Sequence, residues 1–149
     1  MNLSENVAPG LSGIDQLNAM IAAGVRPPIC DTLDFSLVEV GEGLAVFAGT
    51  PGVKAYNPIG AVHGGYAATL LDSACGCAVH SRLSAQQAYT TVELKVAYHK
   101  GISSEVGELR AEGRVVTFGR RIAFAEATLK DAAGKLYASA TSTLLVMER

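Results

Sequence analysis

The stretch from Gly64 to Val79 reads GGYAATLLDSACGCAV and carries a single charge, Asp72. It lies in a helix expected over 63–82, apolar almost all the way round. Such a helix must be covered on most of its sides. That demand limits the possible folds more than any other feature. A flat sheet covers one side only, so the sheet must curl around the helix. A second subunit is expected to cover what stays open.

The rest of the chain supplies the strands. Runs over 32–40 and 43–50 read as a hairpin turning at Gly41-Glu42. Four more strands are expected over 89–98, 106–117, 120–130 and 135–147, joined by short turns. Consecutive strands with short turns imply an antiparallel sheet, so the class is α+β with five to six strands. Val92, Leu94 and Val96 alternate with Glu93 and Lys95, which places Thr91 on the outer side with the charges. Ser12 caps a short N-terminal helix over 13–23, Gly24 ends it, and Pro27-Pro28 prevents its continuation. Residues 1–11 read as a frayed lead-in.

With 149 residues the chain is expected to be one domain over 1–149, its core spanning about 30–147. Charged residues make up 17%, which excludes disorder for most of the chain. Twelve basic against fourteen acidic residues give a net charge of −2, which argues against a nucleic-acid partner. The charges are uneven. Residues 1–94 sum to −5 and residues 95–149 to +3. Lys100, Arg120 and Arg121, at strand ends, are the leading candidates to hold a phosphorylated ligand. No apolar run approaches the roughly 20 residues of a bilayer span, so no membrane association is expected. The opening MNLSENVAPG has no basic stretch before an apolar one, so no secretory leader is expected. Cys30, Cys75 and Cys77 are odd in number and read as small core residues in a reducing cytoplasm.

The chemistry concentrates in Asn57-Pro58-Ile59-Gly60-Ala61-Val62-His63-Gly64-Gly65 and the helix that follows. A carboxylate amid Leu70, Leu71, Ala74 and Cys75 is costly to bury. It is either satisfied by backbone or hydroxyl donors or put to use as a general base. Gly64-Gly65 at the helix start is either a plain junction or an anion cradle. Free N–H groups there suit an oxyanion or the bound substrate. Gly64 and Asp72 are eight residues apart, about 12 Å along a helix. One substrate carbonyl cannot reach both in the same chain. Two helices side by side and antiparallel would bring Gly64 of one subunit to Asp72 of the other, with two sites per dimer.

The run HGGYAATLLD, with Asn57 fifteen residues before Asp72, resembles the hotdog-fold acyl-CoA thioesterases of the PaaI-like, phenylacetyl-CoA thioesterase group. The resemblance implies a long central helix wrapped by an antiparallel sheet, in a homodimer or a homotetramer built as a dimer of dimers. It implies hydrolysis of an acyl-CoA thioester with no cofactor beyond the coenzyme A of the substrate. By the same resemblance Asp72 activates water or attacks the carbonyl, and the Gly64 N–H polarises the thioester oxygen. Asn57 stands near the thioester and water, and His63 is the histidine of the HGG motif. Thr91 matches a hydroxyl near the carboxylate. Some relatives carry another hydroxyl residue one turn after the carboxylate, where this chain has Gly76.

The residues are consistent with that chemistry. No Ser-His-Asp order, metal-ligand spacing or paired carboxylates appear. One base and one oxyanion donor suffice for a thioester, because a thiol of pKa about 8.5 leaves without much acid help. His80 and His99 read as ordinary core or surface histidines. Two other functions fit less of the pattern. They are a hotdog enoyl-CoA hydratase or dehydratase using His63 and Asp72, and a non-catalytic acyl-CoA binder.

Overall fold

A computed structural model describes residues 2–149. Helix α4 (Gly64–His80) touches every strand of a six-stranded antiparallel sheet. Three short helices precede the sheet: α1 (Leu3–Val7), α2 (Gly13–Ala23) and α3 (Pro28–Leu33). The strands are β1 (Phe35–Gly41), β2 (Leu44–Gly49), β3 (Gln87–Tyr98), β4 (Leu109–Phe118), β5 (Ile122–Asp131) and β6 (Leu136–Glu148). Their order in the sheet is β1-β2-β4-β5-β6-β3. This is the hotdog arrangement, α+β with a curled sheet around a long helix.

The sheet reaches the helix closely because its inner face is small. Ala111, Ala123, Ala125, Ala127, Ala138 and Ala140 are all buried there. At Gly113 of β4 a Cβ would lie 2.3 Å from the Ala74 carbonyl oxygen, so only glycine fits the crossing. Leu70, Leu71, Ala74, Cys75, Ala78 and Val79 are lost to solvent on the covered faces of α4. Burial pushes the Cys75 and Cys77 thiols up to about 12, so both stay protonated.

The helix is not apolar all round, as the sequence suggests. A stripe of Gly65, Ala68, Thr69, Asp72 and Ser73 is exposed or half-buried. These side chains are small or polar. The open stripe therefore suits a close neighbour and carries the one charge of the helix.

Five local expectations need correction. Residues 1–11 are not wholly frayed. Asn2 caps α1, and the Glu5 carboxylate accepts hydrogen bonds from Gln16 at 2.8 Å and from Arg149. Pro28 stops α2 from continuing but opens α3, since a proline in a first turn lacks only an N–H that would be unpaired there. Asp34 at φ +53° ends α3, and β1 starts at Phe35 rather than at 32. The β1–β2 turn is Glu42-Gly43, with Gly43 at φ +69°. Finally, β3 does not alternate strictly. Its register against β6 slips between Thr91 and Glu93, which turns Thr91 inward and leaves Val92 56% exposed. Among the described residues no helix is long and apolar enough to cross a membrane.

Candidate active site

Residues 57–63 form a tight loop that delivers α4 to the sheet. The Asn57 side-chain oxygen accepts the N–H groups of Ile59 and Ala61, each at 3.1 Å. Its backbone N–H donates to the Ala61 carbonyl at 2.8 Å, and Gly60 takes φ +83° to close the turn. Asn57 thus spends its side-chain carbonyl on the loop, and its amide N–H₂ group has no partner among the described residues. Val62 and His63 donate to the Ile102 and Ala55 carbonyls, which seats the helix start.

His63 is the cap of α4. Its Nδ1 accepts the Gly65 N–H at 2.8 Å, so its proton sits on Nε2. The Gly65 N–H is therefore spoken for. The Gly64 N–H has no acceptor among the described residues, and the residue is half-buried at the N-terminal end of a 17-residue helix. A free N–H at that end is a donor for an oxyanion. From β3, the Tyr98 hydroxyl donates to the Gly64 carbonyl at 2.7 Å, and its ring covers the spot where a Gly64 side chain would stand. Asn57, His63, Gly64, Tyr98 and Lys100 line one open cleft of about 550 Å³.

Two turns further along α4 lies Asp72, half-buried on the open stripe. The Thr91 hydroxyl donates to its Oδ1 at 3.1 Å. Its Oδ2 has no partner among the described residues. Ser73 adjoins it on the same stripe. The space one turn on, left by Gly76, is taken by the Tyr89 hydroxyl of β3, 3.0 Å from where a Cβ would be. Burial drives the Tyr89 phenol well above its usual range, so it stays protonated.

One chain thus holds two separate groups of candidate residues. Asn57, His63, Gly64, Gly65 and Lys100 gather at the start of α4, and Asp72 with Thr91 about 12 Å beyond. His63 and Asp72 do not form a pair within one chain. The cationic candidates divide in the same way. Lys100 donates its N–H to the Tyr137 carbonyl at one end of β6, while the Arg121 carbonyl accepts from Val146 at the other. Nine residues of strand separate those points, about 30 Å. Lys100, Arg120 and Arg121 are exposed and enter no ion pair among the described residues. Sequence reading missed Tyr98 and Tyr89. Strict alternation leaves Tyr89 outside, and a large aromatic on that side was the available signal against it.

The fold and this helix-start loop define a class, and sequence comparison agrees with it. The family profile of the Thioesterase superfamily matches residues 59–138, more than half of the chain. The chain belongs to the thioesterase superfamily. A thioesterase family protein from Silicibacter pomeroyi is similar, at 27% identity and TM-score 0.77, covering 87% of this chain and 96% of that one. A conserved protein of Pseudomonas aeruginosa, PA5202, is 26% identical with TM-score 0.76, covering 82% and 95%. The smu.793 protein of Streptococcus mutans, solved bound to acetyl CoA, is 27% identical with TM-score 0.69, covering 77% and 90%. No curated protein sequence matches the chain.

Proposed function

We propose that the chain is an acyl-CoA thioesterase, active as a homodimer or a dimer of dimers, with each site shared between two copies. The observation that carries this reading is the split of the site. Gly64, at the start of α4, has an N–H with no acceptor among the described residues, and Asp72, on the open stripe, has an oriented carboxylate; the two are too far apart for one carbonyl. Two α4 helices laid antiparallel across that stripe join the halves.

In that arrangement the thioester carbonyl points its oxygen at Gly64 N–H of one copy. Asp72 of the other copy takes a proton from water as the water oxygen bonds to the carbonyl carbon, or attacks that carbon itself to give, once the thiolate has left, a mixed anhydride that a water then hydrolyses to the free acid and the Asp72 carboxylate. Negative charge builds on the carbonyl oxygen, where a fixed N–H dipole lowers the barrier. The C–S bond then breaks and coenzyme A departs as thiolate. Thr91 holds Oδ1, which leaves Oδ2 to do the chemistry. Asn57 and His63 offer N–H donors on the cleft side. The antiparallel pairing also brings Lys100 of one copy to the same end of the shared site as Arg120 and Arg121 of the other, where the phosphates of coenzyme A would lie. The acetyl CoA held by the S. mutans protein supports a ligand of this kind.

A thiol-release assay across short, medium, long-chain and aryl acyl-CoAs tests the reading. Turnover of at least one class is expected. Asp72→Asn should keep the fold and lower kcat about 10²–10⁴-fold, as loss of a general base does. Wild-type turnover by the Asn variant, or no thiol release from any acyl-CoA, would overturn it.

A further inference from the structure

Residues seven apart on a regular strand point to opposite faces. Thr91 and Tyr98 are seven apart on β3, yet both reach α4. Thr91 donates to Asp72 at 3.1 Å and Tyr98 to the Gly64 carbonyl at 2.7 Å. The β3–β6 register accounts for it. Thr91 pairs with Leu144 and Glu93 with Thr143, so Val92 is an extra residue on β3. This β-bulge changes the parity of the strand. Without it, β3 would turn either Thr91 or Tyr98 away from the helix.

Two side chains of β6 hold the bulge at Glu93. Ser142, 2% exposed, donates its Oγ–H to the Glu93 carbonyl at 2.9 Å. On the outer face Thr143 donates to the Glu93 carboxylate at 2.7 Å. A bulge disrupts the ladder locally, so a carbonyl beside it gains from a side-chain donor. Ser142 is one of few buried polar side chains and points at this backbone rather than at another side chain.

We propose that Ser142 is a positioning residue. It pins Glu93, the pin holds the bulge, and the bulge lets one strand orient both the carboxylate and the helix start. This inference rests on the catalytic role proposed for Asp72.

The test is a double-mutant cycle between Ser142→Ala and Thr91→Val, read in kcat, KM and thermal midpoint. Ser142→Ala alone should lower kcat about fivefold to tenfold and leave KM within about twofold, because it misplaces a group needed in the transition state. In the Thr91→Val background the same change should lower kcat by clearly less, about twofold to threefold, since one of the two contacts the bulge serves, that to Asp72, is already gone and only the Tyr98 contact remains. Its effect on the thermal midpoint should persist in both backgrounds. Equal kcat losses in both backgrounds, or no loss in either, would overturn the proposal. Should Ser142→Ala fail to fold, Thr143→Val removes the outer pin from a half-buried site. It is expected to lower kcat about twofold to threefold, and by less when Thr91 is absent, and equal losses in both backgrounds sink the idea. Asp72→Asn run alongside separates the two readings. A dead Asp72→Asn with an additive cycle rejects the role of Ser142 alone, whereas an active Asp72→Asn rejects the catalytic reading itself.

Discussion

His63 Nδ1 accepts the Gly65 N–H at 2.8 Å, so the histidine of the HGG motif caps the helix it precedes. The cap consumes the second N–H of the helix and leaves the first, on Gly64, for a ligand. An asparagine can supply the same acceptor and an alanine cannot. His63→Asn is therefore expected to keep turnover within severalfold. His63→Ala should lose about 1 kcal/mol of stability, or roughly 2–4 °C in Tm for a domain of this size. Paired thermal melts and thiol-release rates check this. An Asn variant as inactive as Asp72→Asn would instead make the ring itself a participant in the chemistry.

The split site predicts complementation. Gly64→Pro removes the N–H while keeping a residue suited to the first helical turn, and the Tyr98 ring edge and hydroxyl, the end of an exposed side chain, must shift to admit it. Each of Gly64→Pro and Asp72→Asn should be inactive alone. In a mixed dimer one of the two sites is then intact and the other carries both lesions. Tagged heterodimers should regain about half of the wild-type activity per dimer. Isolated heterodimers without activity would place both groups in one subunit's site.

His80 gives a pH dependence with a definite sign. It is buried at the end of α4, and its Nε2 lies 3.0 Å from Gln16 Oε1. The Gln16 amide N–H₂ group donates to Glu5, so its oxygen accepts the His80 proton. Burial, with a smaller push from the Arg149 charge, lowers His80 from 6.5 to about 4. The unfolded chain therefore binds more protons than the folded one between those values. Stability from this group is fully present above pH 6.5 and is lost as pH falls towards 4. The total is about 3 kcal/mol. Urea unfolding from pH 7 to pH 4 should show a steeper loss for wild type than for His80→Gln. Parallel curves for the two proteins would rule out His80 as the source.

The central helix was legible because its apolar run is long and its single charge conspicuous. Gly64 and Asp72 followed from that, and their spacing alone pointed to two copies. The wrapped antiparallel sheet followed from short turns and from the need to cover the helix. What the sequence hid was local. Val92, Leu94 and Val96 give an unbroken alternation, and only their pairing with β6 reveals that Val92 is the extra residue. The bulge is visible only against the neighbouring strand, where Ser142 and Thr143 donate to Glu93. Pro28 misled for a related reason. It follows one helix, which Gly24 ends, and begins another, across which the Arg26 guanidinium donates to the Cys30 carbonyl and pairs with Asp31.

Coenzyme A recognition should divide between the two ends of the sheet. Arg120 and Arg121 sit exposed on the β4–β5 turn, and Lys100 rims the cleft that holds Gly64. Such exposed contacts to phosphate are individually modest and screened by salt. Replacing Arg120 and Arg121 together by Ala should raise KM for an acyl-CoA severalfold and leave kcat nearly unchanged, because the phosphates are held equally in the ground and transition states. The increase should shrink as ionic strength rises through about 0.5 M, since screening weakens the wild-type contacts first. An acyl-pantetheine lacks the nucleotide phosphates, so it should be turned over alike by both proteins. Lys100→Ala should act in the same direction, since it would approach the same phosphates from the other copy. A variant that loses activity equally on acyl-CoA and acyl-pantetheine would show that these cations support the fold rather than the ligand.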